Sequence, residues 1–361
     1  MSDEQLDKTK KRLAALYLLQ ILRTETDCVH RLSQRELMER LYERFGIKLN
    51  RRTLKSHLSD LLDAGYALNY AEATRINPDG STEQLLTDWY MEPDFEASEL
   101  QLLIDLLSGL PTLPESQREH LLNKLAALSP VEARKKASHI QALGAHYPAA
   151  PQLMYSVELL TEAMERNCMV EFSYGSYRLD AGNRPKMLPR TLSDGTERSY
   201  IASPYEILVS HGRYYLLCCK SPYHILASYR IDRIMDLHLV PELPRTPLET
   251  VEGIHDGKID LPKHLAEHLY LYSGESVQCV FLADAVILND IIDWFGLDAN
   301  IEPTEQDGRL KVTVQAHPTA MHHWALQYGD YVEVIAPENV RTQICVTLKK
   351  LCRRYLDTDV T

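Results

Sequence analysis

Between Arg44 and Ser59 the chain carries Arg44, Lys48, Arg51, Arg52 and Lys55 and no carboxylate. Such a set on one short helix and its entry can meet a polyanion: arginine forks reach phosphates and guanine edges, while serine and asparagine add hydrogen bonds. Leu54, Leu58, Leu61 and Leu62 fall at helical spacing and supply the face that helix would bury. The opposite face is then Arg51, Arg52, Lys55, Ser56 and Ser59, with Asn50 placed to cap the first turn. These six residues are the candidate contacts to duplex DNA. The bland alternative is a solvated charged face.

A second group lies mid-chain. Arg230 and Arg233 sit three residues apart at the end of a strand-like run, beside Tyr229, and an earlier run brings Tyr214 and Tyr215. Neighbouring strand residues face opposite ways, so only one of Tyr214 and Tyr215 lines a given surface. Guanidinium groups beside aromatic rings suit a ligand with negative charge and flat bases, a nucleotide or a short single strand. The competing reading packs the tyrosines into a core and ties Arg233 to Asp232 or to a backbone carbonyl.

A third pattern is a decoy. His264, Glu267 and His268 match H-x-x-E-H, in which two histidines one helical turn apart bind zinc and the glutamate acts as base. The frame is short, between Pro262 and a strand-like run near Tyr270, and no third ligand is specified. With 14 histidines in the chain, so short a pattern arises easily by chance. His322-His323 likewise reads as including a surface residue. Phosphate-cradling, dinucleotide-binding and nucleophile-elbow motifs are absent from the sequence, so no catalytic residue, metal or cofactor is expected.

Composition frames these groups. At 361 residues, with 45% hydrophobic and 25% charged residues, the chain is an ordinary globular one of two or three domains. The net charge of −12 argues against a polyanionic partner until it is divided. Residues 1–75 carry 14 basic and 11 acidic side chains, whereas residues 76–361 carry 25 and 40. The basic excess is local to the N-terminal segment. Seven cysteines without a C-x-x-C pair read as reduced intracellular thiols. Lys8, Lys10, Lys11 and Arg12 before an apolar run imitate a signal peptide, but preceding acidic residues and a missing cleavage site argue otherwise. With no long apolar stretch, the expectation is a cytoplasmic protein that meets no membrane.

The elements that must position the basic helix read as helix, helix, helix, hairpin. A first helix covers roughly residues 8–23. Ser33 and Glu36 form a capping box for a second that stops at Phe45-Gly46. The basic helix closes at Gly65, and runs 66–73 and 85–91 flank the turn sequence Asn77-Pro78-Asp79-Gly80. Together these resemble a winged helix-turn-helix. Arg75 at its tip is countered by Asp79 and Glu83, so a strong wing-to-phosphate contact is not expected.

Three amphipathic stripes follow, through Leu100–Leu107, Leu121–Leu128 and Leu153–Met164, with Ala145–Pro151 as a domain boundary. From Cys168 the period becomes strand-like: 169–174, 200–209, 213–219 and 226–231 predict a small all-β module, and Leu243–Pro247 a linker. The C-terminal third alternates strand and helix in an order that fits a ferredoxin-like α+β domain with an extra terminal helix.

The segments Ser203-Pro204-Tyr205, His211-Gly212-Arg213-Tyr214-Tyr215-Leu216 and Tyr229-Arg230-Ile231-Asp232-Arg233-Ile234 resemble the signature of a WYL domain. Tyr214 stands where that tripeptide has tryptophan. Glu171-Phe172-Ser173-Tyr174 resembles the family's first strand, and residues 325–337 its common C-terminal extension. The resemblance implies a bacterial WYL-type transcription regulator whose module is an Sm-like β-barrel, and it adds Tyr174 and Tyr205 to the ligand candidates Tyr214, Tyr215, Tyr229, Arg230 and Arg233.

The expected architecture is therefore a multi-domain α+β chain. It has a winged helix-turn-helix (1–92), a helical linker (93–150), a WYL ligand-sensing domain (151–245) and a C-terminal extension domain (250–361). The expected function is sequence-specific binding of an inverted-repeat double-stranded operator by a homodimer, controlled by a nucleotide or single-stranded nucleic-acid effector. The alternative is a nucleic-acid-associated enzyme, or an accessory factor of a defence or DNA-repair system.

Overall fold

Ser33 begins a helix by reciprocal bonding: its Oγ accepts from the Glu36 N–H at 3.3 Å, and Glu36 Oε2 accepts from the Ser33 N–H at 2.7 Å. That helix, α2 (Gln34–Phe45), ends at Gly46 in the left-handed conformation, φ 69°. It follows α1 (Ala14–Glu25) and precedes α3 (Arg51–Asp63). The computed structural model describes residues 13–76, 82–110, 112–128, 150–252, 254, 257–267, 270, 274–306 and 308–356. The basic residues 8–12, the turn Asn77–Gly80, most of the expected boundary Ala145–Pro151 and His268 lie outside them.

The chain divides into two compact units, Met1–Ala149 and Ala150–Thr361. In the first, α1, α2 and α3 pack Leu18, Leu22, Leu37, Leu41, Leu54 and Leu58 into one core with Trp89. The antiparallel strands β1 (Leu68–Ile76) and β2 (Thr82–Met91) form the hairpin, and Trp89 of β2 bridges to Leu32 just before α2. Thr26 is buried at the end of α1, and its hydroxyl accepts from the Met91 N–H at 3.0 Å, tying hairpin to helix. Two further helices, α4 (Ala97–Ser108) and α5 (Glu115–Ala126), pack on each other.

The second unit opens with α6 (Leu153–Glu165), which packs on a six-stranded sheet. Its strands are β3 (Cys168–Leu179), β4 (Pro185–Pro189), β5 (Ser199–Ser210), β6 (Arg213–Lys220), β7 (Leu226–Arg230) and β8 (Ile234–Pro244). The order is β4-β3-β5-β6-β7, with β8 on the other side of β3. Three inter-strand steps separate β3 from β7, about 14 Å if the sheet were flat. Yet Tyr229 of β7 lies 5.0 and 5.4 Å, ring to ring, from Tyr174 and Phe172 of β3. The sheet is therefore curled around those rings.

A short helix, α7 (Leu261–Glu267), leads to β9 (Val277–Asp284), α8 (Leu288–Phe295), β10 (Asn300–Pro303), β11 (Arg309–Ala316), α9 (Pro318–Gln327), β12 (Val332–Ala336) and α10 (Glu338–Leu356). The antiparallel sheet order is β10-β11-β9-β12. Phe281, Phe295, Met321 and Trp324 fill its core. Sequence periodicity had not marked β4, β8, β10 or α7. The expected linker Leu243–Pro247 begins inside β8, which runs through Pro241 to Pro244, paired with Cys168 of β3 beyond a bulge. Among the described residues no helix is long and apolar enough to cross a membrane.

Candidate functional sites

Asn50 caps α3: its Oδ1 accepts from the Thr53 N–H at 2.8 Å and the Thr53 hydroxyl at 2.9 Å. Leu54, Leu58 and Leu61 are buried, which fixes the rotation of the helix. Arg51, Arg52, Lys55, Ser56 and Ser59 are consequently all exposed, with Asn50 exposed at the head of their face. Arg44 is not part of this free charge. It pairs with Glu25, which Arg40 also approaches at 3.3 Å. Among the described residues Arg51, Arg52 and Lys55 make no ion pair, and all three are exposed. In the hairpin, Arg75 stands opposite Glu83 in register.

The curled sheet separates the second group of candidates by face. Phe172, Tyr174, Tyr200 and Tyr229 form the interior cluster, with Tyr174–Tyr200 at 6.3 Å and Tyr200–Tyr229 at 5.6 Å. Burial pushes the Tyr174 and Tyr229 hydroxyls above the ordinary phenol range. Tyr215 belongs to the other face, packed with Leu208 and Leu217 and with Leu261 and Leu265 of α7. Tyr205 packs with Cys219 and Val251, and its hydroxyl donates to the Thr246 carbonyl at 2.9 Å. Tyr214 is half-buried and shares the pleat parity of Leu216 and Cys218. The seven candidates thus line no single pocket.

Arg230 stands opposite Tyr215 in register, so the two share a face. Its N–H donates to the Tyr174 hydroxyl at 3.2 Å, which links the faces through the backbone. Its guanidinium grips Asp232 with two bonds, Nε to Oδ1 at 3.0 Å and a terminal nitrogen to Oδ2 at 2.5 Å. Burial works against that charge, but the bonds to Asp232 more than offset it and hold the guanidinium above its ordinary pKa. Sequence reading had offered Asp232 to Arg233; the structure gives it to Arg230. Arg233 Nε is buried without a hydrogen-bond partner in the turn Ile231–Arg233.

Three cations that sequence reading passed over surround the aromatic cluster. The Arg190 guanidinium lies 5.2 Å from the Tyr174 ring centre, and Arg198 and Lys220 lie 5.0 and 5.1 Å from that of Tyr200. Lys220 also sits 5.2 Å from the ring of Tyr223, which is exposed. Burial and then the neighbouring Arg198 lower the Lys220 pKa. None of the three makes an ion pair with a described residue. The signal was present in the spacing: Arg198 and Tyr200, two apart on a strand approach, share a face.

His264 and Glu267 lie on α7, where Glu267 accepts from the Ser276 hydroxyl at 3.1 Å and meets Lys263 at 3.9 Å. His322 bonds to Thr347 at 3.0 Å and its ring meets that of His323. Among the described residues no group of three metal-binding side chains converges.

The family model described as the WYL domain matches residues 156–239, which hold β3 to β7, the first half of β8 and the three cations. The chain carries a WYL domain over those residues. A WCX domain model matches residues 275–352, the four-stranded sheet and its helices. Among solved structures, this WYL-domain chain is similar to proteasome accessory factor B/C (PafBC) of Arthrobacter aurescens, at 17% identity and a TM-score of 0.28, over 92% of this chain. It spans 47% of the length of that protein. It is also similar to a CRISPR Cas-related protein, at 12% identity and a TM-score of 0.36, over 100% of this chain and 88% of the other. No curated protein matches it.

Proposed function

We propose that this WYL-domain protein is a sequence-specific, DNA-binding transcription regulator controlled by an anionic effector. The observation that carries the reading is the face of α3, where Arg51, Arg52, Lys55, Ser56 and Ser59 are exposed together, with no carboxylate partner among the described residues. Three helices followed by an antiparallel hairpin support a winged helix-turn-helix within residues 1–92, with α3 as the helix that enters the major groove. Residues 93–150 serve as the helical linker. The sheet order β10-β11-β9-β12 supports a ferredoxin-like core for the C-terminal domain. That domain contributes to a homodimer, whose paired α3 helices read an inverted repeat with half-sites about 34 Å apart or at a multiple of it.

The effector is a nucleotide or single-stranded nucleic acid. Its supports are the Arg230 fork at the strand end and the uncompensated Arg190, Arg198 and Lys220 around Tyr174 and Tyr200. The buried rings leave phosphate recognition as the main source of affinity, with exposed Tyr223 beside Lys220 as the surface on which a base stacks. An effector changes DNA affinity only through unequal affinity for two states of the dimer.

The test is a gel-shift titration of the full chain on duplex pools drawn from its own genome, with and without short oligonucleotides. Specific retention that shifts on oligonucleotide addition is the expected result. Retention of no duplex at low ionic strength would overturn the reading.

A further inference from the structure

The Arg230 fork of the effector site is already occupied. Asp232 takes both of its hydrogen bonds, at 3.0 and 2.5 Å, and also stands 3.8 Å from a terminal nitrogen of Arg213. The Asp232 side chain is 6% exposed, against 19% for Arg230 and 28% for Arg213. The carboxylate therefore lies beneath two guanidinium groups that reach further toward solvent. A bidentate fork has one anion's worth of geometry, and a phosphate presents the same pair of oxygens as a carboxylate. Two cations against one carboxylate leave a positive charge that attracts a further anion. Such an anion cannot take the Arg230 fork while Asp232 holds it.

We propose that Asp232 is the resident anion of the effector site, and that a phosphate-bearing ligand binds by taking the Arg230 fork while Asp232 passes to Arg213. The proposal rests on the effector reading above and adds its regulation: the unliganded site is closed by its own carboxylate. Arg213 makes the exchange feasible, because at 3.8 Å it is ion-paired without a direct hydrogen bond and has capacity for the released carboxylate. The exchange also has a route outward. Arg213 opens β6 immediately after His211-Gly212, the hairpin turn whose histidine lies on Trp294.

The sign of one substitution separates this role from its rival, in which Asp232 merely orients Arg230 for the ligand. The full wild-type chain and Asp232→Asn are titrated with a labelled oligothymidylate and, separately, with inorganic pyrophosphate. A competing internal anion predicts binding about tenfold tighter in Asp232→Asn, the size of one lost charged hydrogen-bond partner. Adding Arg230→Ala abolishes the gain. Equal or weaker binding by Asp232→Asn, with the wild type still binding, overturns the proposal and leaves the effector reading standing. Failure of both proteins to bind either probe overturns both. Tightening for oligothymidylate alone assigns the fork to a nucleic-acid phosphate, and tightening for both probes to phosphate in general.

Because Asp232 is buried, the variant's stability is followed as well. Pyrophosphate is expected to raise the melting temperature of Asp232→Asn more than that of the wild type, since the added anion replaces the missing one. An equal or smaller rise contradicts the proposal.

Discussion

The ring of His211 lies on that of Trp294, with centroids 5.6 Å apart and 29° between planes. His211 is the tip of the β5–β6 hairpin, at φ 49° with Gly212 at φ 68°, and belongs to the WYL domain; Trp294 belongs to α8 of the WCX domain. Tyr270 meets the same indole at 5.1 Å. The indole N–H donates to the Tyr328 hydroxyl at 3.3 Å, which donates to Asp290 at 3.0 Å. An aromatic pair of this kind contributes about 0.5–1.5 kcal/mol beyond its buried area. His211→Ala is accordingly expected to destabilise the chain by about 1 kcal/mol and to change Trp294 emission, measured by denaturant unfolding in a chain whose other tryptophans are phenylalanine. Unaltered emission would remove the hairpin tip from the junction.

The α3 face yields a prediction independent of any effector. Replacing Arg51 and Arg52 with alanine is expected to abolish specific duplex binding without lowering the melting temperature, because both side chains are exposed and make no ion pair with a described residue. If residual binding is measurable, each lost phosphate contact lowers the salt slope by about one. Fluorescence anisotropy at several salt concentrations reads both effects, and an unchanged slope would place the duplex elsewhere.

Asn50 separates capping from recognition. Asn50→Ala loses the bonds to Thr53 and is expected to cost about 1 kcal/mol of stability, read from chemical denaturation. Asn50→Asp keeps a good cap, and its negative charge favours the helix N-terminus, but it opposes phosphate. It should fold normally and bind DNA less well. Normal DNA affinity in Asn50→Asp would show that the head of α3 does not approach the backbone.

Glu171 sets a pH dependence. Its carboxylate accepts from the Ser199 hydroxyl at 2.5 Å and pairs with His238 at 3.2 Å, joining β3, β5 and β8. The Ser199 bond, with His238, holds its pKa below the ordinary 4.5 despite some desolvation. A carboxylate depressed in the folded state adds stability above its unfolded pKa and loses it as pH falls through the folded value. Glu171→Gln should therefore flatten the decline in melting temperature below about pH 4.5. Parallel curves for the two proteins would contradict this.

Local rules carried much of the fold into the sequence. Ser33 with Glu36, Asn50, Gly46 and the leucine period of α3 are nearest-neighbour signals, and each appears in the structure as read. The runs at 169–174, 200–209, 213–219 and 226–231 foretell β3, β5, β6 and β7 to within a few residues, except that β3 continues to Leu179. What local pattern could not reach was pairing. Curling brings Tyr229 against Phe172 and Tyr174 across two intervening strands, and that long-range closure turns candidate ligand rings into core. Pairing of adjacent strands, β3 with β4 and β5 with β6, sets Arg190 beside Tyr174 and Lys220 beside Tyr200. The partner of Arg230 was likewise a matter of rotamer: Asp232 is two residues away, and only the turn at Ile231–Arg233 bends it back onto the fork.

The central claim, that the exposed cationic face of α3 reads duplex DNA under control of the WYL domain, is tested most directly by recovering genomic DNA on the intact protein. Recovery would be done with and without added oligonucleotide and repeated for the Arg51→Ala/Arg52→Ala chain. The account predicts enrichment of a shared inverted repeat, altered by the oligonucleotide and absent from the double variant. Enrichment that survives the double substitution unchanged, or no enrichment even at low ionic strength, would contradict it.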